Sequence, residues 1–323
     1  MLLLRLRVKF MMSIGCFQRN LCAASSPLVP VRPPSPMETH LWYILPDEVK
    51  SSKLLNRYFE LLSPCEKEKV FRMHGDQLQQ RTLLARTLVR TTIARYQTNS
   101  HVHPRSFKFK KNIYGKPEVE WQDLEDWHLP PLHFNLSHTS SLIACGVTVN
   151  SPIGIDVEEK QRKLRNNVLR FARRYFSPYE VELLAAISDP EYQRQEFIKL
   201  WTLKEAYVKA LGRGFSAAPF KTFTIRFRAA MERAIHLSGH RDSEAFDIVV
   251  DSIDDPENLT NNWQFALLEL ASSHYAAICV EKDGTTGGKG TLPMKLTVRR
   301  TIPYLEDECV SGTAAVVAIS GMT

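Results

Sequence analysis

The chain has 323 residues, 44% of them hydrophobic and 10% aromatic, which excludes a disordered chain and is enough for two modest domains or one larger body. Its formal charge is +7, but the first 37 residues hold Arg5, Arg7, Lys9, Arg19 and Arg32 and no acid, and without them 37 basic residues face 35 acidic ones. That near balance argues against a general nucleic-acid binder, and no apolar run approaches the ~18 residues of a membrane-spanning helix.

The acid-free, arginine- and serine-rich residues 1–37 read as an organelle address, mitochondrial ahead of plastid; their early charges interrupt the apolar stretch a secretory signal needs. A disordered extension, or a start at Met37 in the cytoplasm, are the alternatives. Five prolines between Pro27 and Pro36 suit a linker. Residues 40–45 predict a first strand. Ser63-Pro64 opens a helix, as cap and first helical residue. From Gln77 to Tyr96 the pattern is helical, with Leu84, Leu88 and Ile93 as the apolar stripe and Arg81, Arg86, Arg90 and Arg95 expected on a solvated face.

Tyr114-Gly115-Lys116-Pro117 is a turn. His133–His138 and Leu142–Val149 predict strands, and Ile153–Val157 a buried strand that runs into acids. Lys160, Arg162, Lys163, Arg165, Arg170, Arg173 and Arg174 form a dense basic run. Ser177-Pro178-Tyr179-Glu180 is a capping box, and a longer helix over 191–211 ends at Gly212 and Gly214. Residues 220–280 look strand-rich. Phe265–Val280 echoes Phe134–Val147, which suggests two related halves. Beyond Asp283 the Gly/Thr-rich segment and the tail are expected to be loosely attached. Six scattered cysteines without a Cys-x-x-Cys pair argue against metal knuckles and a disulfide framework.

Three elements carry chemistry. In Gly154-Ile155-Asp156-Val157-Glu158, alternation along a strand puts two carboxylates on one face, which is costly unless a cation such as Mg²⁺ neutralises them; the plainer reading is a surface turn with two acids. In Trp201-Thr202-Leu203-Lys204-Glu205-Ala206-Tyr207-Val208-Lys209, spacing by four stacks Trp201, Glu205 and Lys209 on one helix face. That is either a third carboxylate with a phosphate-facing cation or an ordinary Glu–Lys pair beside a core Trp. His138, after Asn135-Leu136-Ser137, and Lys116 can each donate to a phosphate or be structural.

In this order the elements resemble the 4'-phosphopantetheinyl transferase superfamily, particularly its long pseudo-dimeric members of the surfactin-synthetase-activating and aminoadipate-semialdehyde-dehydrogenase type. Gly154–Glu158 matches G-I/V-D-x-E, Trp201–Lys209 matches W-x-x-K-E-x-x-x-K, Phe134–His138 matches F-N-x-S-H, and Gly115-Lys116-Pro117 matches G-K-P. The resemblance covers residues 40 to 280. It implies an α+β fold of two similar halves with coenzyme A in the cleft between them. The expected divisions are an extension (1–37), an N-terminal half (38–150), a C-terminal half with the metal site (151–283) and a tail (284–323).

It further implies Asp156, Glu158 and Glu205 as Mg²⁺ ligands and Lys209 as the cation at the transferred phosphate. Lys69 and His138 would contact the 3'-phosphate, with Lys116, Pro117 and the backbone of Asn135, Leu136 and Ser137 along the nucleotide. The implied reaction moves phosphopantetheine from coenzyme A to a serine of an apo acyl or peptidyl carrier protein and releases 3',5'-ADP. Glu205 is a candidate for the general base. The run Arg162–Arg174 is a candidate docking surface for the acidic carrier, its alternative being a solvated face, and the chain is expected to act as a monomer. A metal-dependent nuclease and a catalytically dead carrier-binding module are the rival readings.

Overall fold

The computed structural model describes residues 27–36, 38–97, 103–121, 131–164, 167–229, 235–237, 246–252, 262–282 and 294–319. The first half runs β1 (Glu38–Ile44), α1 (Ser52–Leu61), α2 (Pro64–Phe71), α3 (Asp76–Arg95), the hairpin β2 (Phe109–Lys111) and β3 (Pro117–Val119), then β4 (Leu132–His138) and β5 (Ile143–Val149). The second runs β6 (Ile153–Glu159), α4 (Val168–Tyr175), α5 (Pro178–Ala185), α6 (Pro190–Leu211), α7 (Gly214–Ala217), β7 (Phe223–Ala229), β8 (Ile235–Leu237), β9 (Phe246–Ser252), β10 (Trp263–Leu270) and β11 (His274–Glu281). β12 (Met294–Ile302), β13 (Glu306–Cys309) and β14 (Val316–Ala318) follow.

Two large sheets result, one ordered β13-β12-β1-β5-β4 with β8 beside β12, the other β14-β10-β11-β6, and β2-β3 and β7-β9 form two further two-stranded sheets. Strand alternation decides what each face meets. Leu41 and Tyr43 of β1 share a core with Ile153, Ile155 and Val157 of β6, so the sheets lie face to face. Trp42 and Ile44 point the other way, into a core capped by Leu84, Leu88 and Ile93 of α3. The second sheet buries Phe265, Leu267, Ala277 and Cys279 against Phe197, Leu200 and Leu203 of α6. The order of layers is helices, sheet, sheet, helices, and no helix of the described residues is long and apolar enough to cross a membrane.

The halves repeat each other with a constant offset. Ser63 and Ser177, Glu66 and Glu180, Gln79 and Gln193, Arg90 and Lys204, and Arg95 and Lys209 are each 114 positions apart. Both serines and both glutamates form full capping boxes, at the starts of α2 and α5. Each glutamate also takes a buried cation from the long helix: Arg90 Nη2 lies 2.7 Å from Glu66, and Lys204 Nζ 2.9 Å from Glu180. Gln79 and Gln193 donate to the carbonyls of Met73 and Ile187, again 114 apart.

Three expectations are corrected. Arg90 and Arg95 are buried; Arg90 also donates to the carbonyls of Pro104, Arg105 and Phe107, and Arg95 is held by Asp307. The tail is built in: β12 pairs in parallel with β1 along Glu38–Tyr43, and β14 pairs with β10. Leu28 and Val31, in the proline-rich stretch, rest on the first core, and the Val31 amide donates to the Arg95 carbonyl at 2.7 Å. Residues 1–26 and 283–293, with Arg165, lie outside the described residues.

Candidate active site

The site is built where α6 crosses β6. A Cβ at position 154 would lie 2.0 Å from the Ala206 carbonyl oxygen and 2.2 Å from the Ala210 nitrogen, so only glycine lets the helix backbone rest on the strand. With Ala206 and Ala210 on the strand, their chain neighbours Glu205 and Lys209 flank it. Ile153, Ile155 and Val157 go to the inter-sheet core, which leaves Asp156 and Glu158 on the helix side. Lys209 Nζ lies 2.6 Å from Asp156 Oδ1.

β4 and β6 are edges of different sheets, and polar side chains of β4 bond to the β6 backbone. Asn135 Oδ1 accepts from the Ile155 amide (2.9 Å), and Ser137 Oγ accepts from the Val157 amide (3.3 Å). Ser137 Oγ also accepts from Lys209 Nζ (3.1 Å) and donates to Asp156 Oδ1 (2.9 Å), so its one proton and both lone pairs are used. Leu136 turns the opposite way, onto the first core. Asn135 and Ser137 therefore act here through side chains, whereas the sequence assigned them backbone roles.

The carboxylates are under electrostatic pressure. Burial pushes Asp156 up, against the pull of Lys209, and its Oδ2 is buried with no hydrogen-bond partner among the described residues. Burial and then the charge of Asp156 push Glu158 up to about 7, against Arg162; the same two causes push Glu205 up to about 7, against Lys209 and Arg162. The three are coupled, yet among the described residues no three acidic, His or Cys side chains are gathered as a ligand set. Asp156 is turned to Lys209, and Glu158 to Arg162.

A cleft of about 320 Å³ opens at the other end of β6, lined by Lys116, Pro117, His133, Phe134, Pro152 and Gly212 among others. Its hairpin is fixed by Asn112, which the sequence reading missed. The Asn112 Oδ1 accepts from the Tyr114 and Lys116 amides (both 2.9 Å), and its Nδ2 donates to the Gly212 carbonyl (3.0 Å). Asn three residues before Gly in a turn was the available signal. Lys116 Nζ donates to the carbonyls of Ile153 (2.9 Å) and Ala210 (3.3 Å), so it closes the end of α6, and burial pulls it down to about 8. From Ile153 to Asp156 along the strand is roughly 10 Å. His138 is exposed at the end of β4, and Lys69 is exposed on α2 in the first half.

Half of the Trp201–Lys209 element is architecture. Trp201 packs among Phe171, Tyr175, Phe197 and Phe220. Lys204 is fully buried beside Glu180, donates to the carbonyls of Phe220 and Phe223, and lies 4.1 Å from the Phe223 ring centre. In the basic run, Lys163, Arg170, Arg173 and Arg174 are exposed.

Known proteins match this arrangement in sequence. The model of the 4'-phosphopantetheinyl transferase superfamily matches residues 152–268. A 4'-phosphopantetheinyl transferase of Bacillus subtilis is 33% identical over 186 residues, 57% of this chain and 75% of the relative. The 4'-phosphopantetheinyl transferase Sfp of Bacillus subtilis strain 168 is 32% identical over 198 residues, 61% and 80% of the two chains. The L-aminoadipate-semialdehyde dehydrogenase-phosphopantetheinyl transferase of Mus musculus is 23% identical over 228 residues, 69% of each.

Proposed function

The chain belongs to the 4'-phosphopantetheinyl transferase family, and from that premise we propose that it transfers 4'-phosphopantetheine from coenzyme A to a serine of an apo carrier protein, releasing 3',5'-ADP. One observation carries the reading: a buried carboxylate, Asp156, shares Ser137 and Lys209 at the joint of the two sheets, with Glu158 and Glu205 coupled to it. Phosphoryl transfer depends on positioning and charge neutralisation rather than on covalent help, and this site supplies both.

The residues fit a divalent cation. Asp156 keeps a buried oxygen without a hydrogen-bond partner among the described residues, and Glu158 and Glu205 are raised by burial and by the charge of Asp156, which a cation would relieve. Asp156, Glu158 and Glu205 would hold Mg²⁺, which when bound would offset the negative charge of the pyrophosphate. Lys209, held by Ser137, would stand against the transferred phosphate. The cleft beside Lys116 and Pro117 lies about 10 Å along β6 from Asp156, a separation that suits a nucleotide with its phosphates reaching toward the carboxylates. His138 and Lys69, both exposed, are the residues for the 3'-phosphate, and Glu205 is the candidate acceptor of the serine proton.

The exposed Arg170, Arg173 and Arg174 of α4 support docking of an acidic carrier by the monomeric chain. The acid-free residues 1–37 support a mitochondrial destination, with plastid and cytoplasm as the outcomes a fluorescent fusion of that segment would separate. Intact-mass spectrometry of an apo acyl carrier protein incubated with the chain, coenzyme A and Mg²⁺ tests the reaction. A gain of one phosphopantetheine, absent with chelator or Asp156→Ala, is expected; no gain on several carriers would overturn it.

A further inference from the structure

The turn after β6 brings a cation back onto the strand it has just left. The Arg162 amide donates to the Glu159 carbonyl (3.0 Å). Arg194 of α6 donates to the carbonyls of Lys160 (2.6 Å) and Arg162 (3.1 Å), and is itself held by Glu191. With its backbone fixed from both sides, Arg162 lays its guanidinium 5.7 Å from the Trp201 ring centre and pairs with Glu158 Oε1. The Glu158 side chain is 17% exposed and that of Arg162 38%, so the carboxylate is enclosed while the guanidinium is open to water. The field of Arg162 also reaches Glu205. Lys160, two residues earlier, turns away to Glu269 at 2.6 Å.

A guanidinium and a divalent cation compete for the lone pairs of one carboxylate. Arginine does not give up its proton in water, so it can leave only by rotating away. We propose that Arg162 is a built-in counter-ion for Glu158 that must swing off before this carboxylate can ligate a divalent cation, and that it thereby sets the affinity of the site for metal. The proposal rests on the assignment of Asp156, Glu158 and Glu205 as the metal ligands. Arg162 is a positioning residue: it governs which partner Glu158 has, and the Trp201 face lies beside its guanidinium while the two are paired.

The test is Mn²⁺ binding to the full chain, followed by the electron paramagnetic resonance of the free ion, for the parent and for Arg162→Gln, Arg162→Lys and Lys160→Gln. Arg162→Gln is expected to bind Mn²⁺ about threefold tighter or more. Arg162→Lys, which keeps the charge but loses the planar fork, should fall between it and the parent, and it serves alone if the glutamine variant does not fold. Lys160→Gln removes the same charge from a residue paired elsewhere and should stay at the parent value. Unchanged or weaker binding in both Arg162 variants overturns the proposal. So does an equal gain in Lys160→Gln, which would make the effect one of general field. If no folded variant and not the parent binds Mn²⁺, the metal assignment falls and the proposal with it, whereas binding by the parent that Asp156→Ala abolishes keeps the assignment whatever Arg162 does.

Discussion

Trp42 and Ile44 of the first half occupy the strand positions that the second half gives to Asp156 and Glu158, 114 residues on. Across from them, Thr91 stands where Glu205 does, and Arg95 where Lys209 does. Thr91 is spent within its own helix, on the carbonyls of Thr87 and Leu88, while Trp42 donates to the buried Tyr96 hydroxyl at 2.7 Å. The cation is kept in both halves but used differently. The Arg95 side chain is 0% exposed, gripped by Asp307 and Thr301 of the C-terminal segment and 4.9 Å from the Trp42 ring. That of Lys209 is 28% exposed and can be reached from solvent. One scaffold thus carries a sealed, apolar version of the crossing and an open, acidic one. The scaffold itself does not make a site; the side chains at four equivalent positions do.

The sharpest way to break this comparison is through the twin buried ion pairs. Removing either cation leaves a carboxylate buried and uncompensated, so Arg90→Met and Lys204→Met should each cost about 3–5 kcal/mol in urea unfolding. A large loss for one with almost none for the other would show that the halves are not equivalent frames. Next, Lys209→Met should lower phosphopantetheine transfer by about 10²–10³-fold while the protein stays folded. Arg95→Met, its counterpart, should act on the melting curve and leave turnover of the folded fraction within about threefold; a catalytic loss as large as that of Lys209→Met would place chemistry in the first half as well.

Gly154→Ala should cost about 1–3 kcal/mol or more, because the new methyl meets helix backbone that cannot rotate away. An unperturbed melt would mean that α6 does not lie on β6 as described. The smallest effect concerns pH. Burial lowers Lys116 to about 8 in the folded protein, from an ordinary value of 10.5. Between these values the unfolded chain binds the proton that the folded chain has released, so stability from this group rises with pH from about 8 to 10.5, by at most about 3 kcal/mol. Lys116→Met should flatten that slope in denaturant melts taken across the window, and an unaltered slope would remove Lys116 from the buried end of α6.

The elements of the second half were legible because their signals are local. Gly154–Glu158 alternates within five residues, Ser177–Glu180 is a capping box within four, and Trp201–Lys209 repeats at helical spacing. What stayed hidden depends on distant partners. Arg90 and Arg95 lie among the polar residues of α3, and nothing near them in sequence announces Glu66 or Asp307 as counter-ions. Lys204 looks like one more helix lysine until Glu180 and the carbonyls of Phe220 and Phe223 surround it. The tail read as loose because β12 has no hairpin partner beside β1 in the chain; its strand character is fixed by pairing with residues at the opposite end. Arg162 was seen as part of a docking surface, and only the folded turn shows it on Glu158.

The parallel pairing of β1 with β12 also fixes an order of events during synthesis. β12 leaves the ribosome roughly 250 residues after β1. At about 5–20 residues per second that is a delay of roughly 10–50 s, during which the edge of β1 has no native neighbour. The half made first is thus completed only after most of the second half has been made, and until β12 arrives the open edge of its nascent sheet is exposed to pairing with other chains.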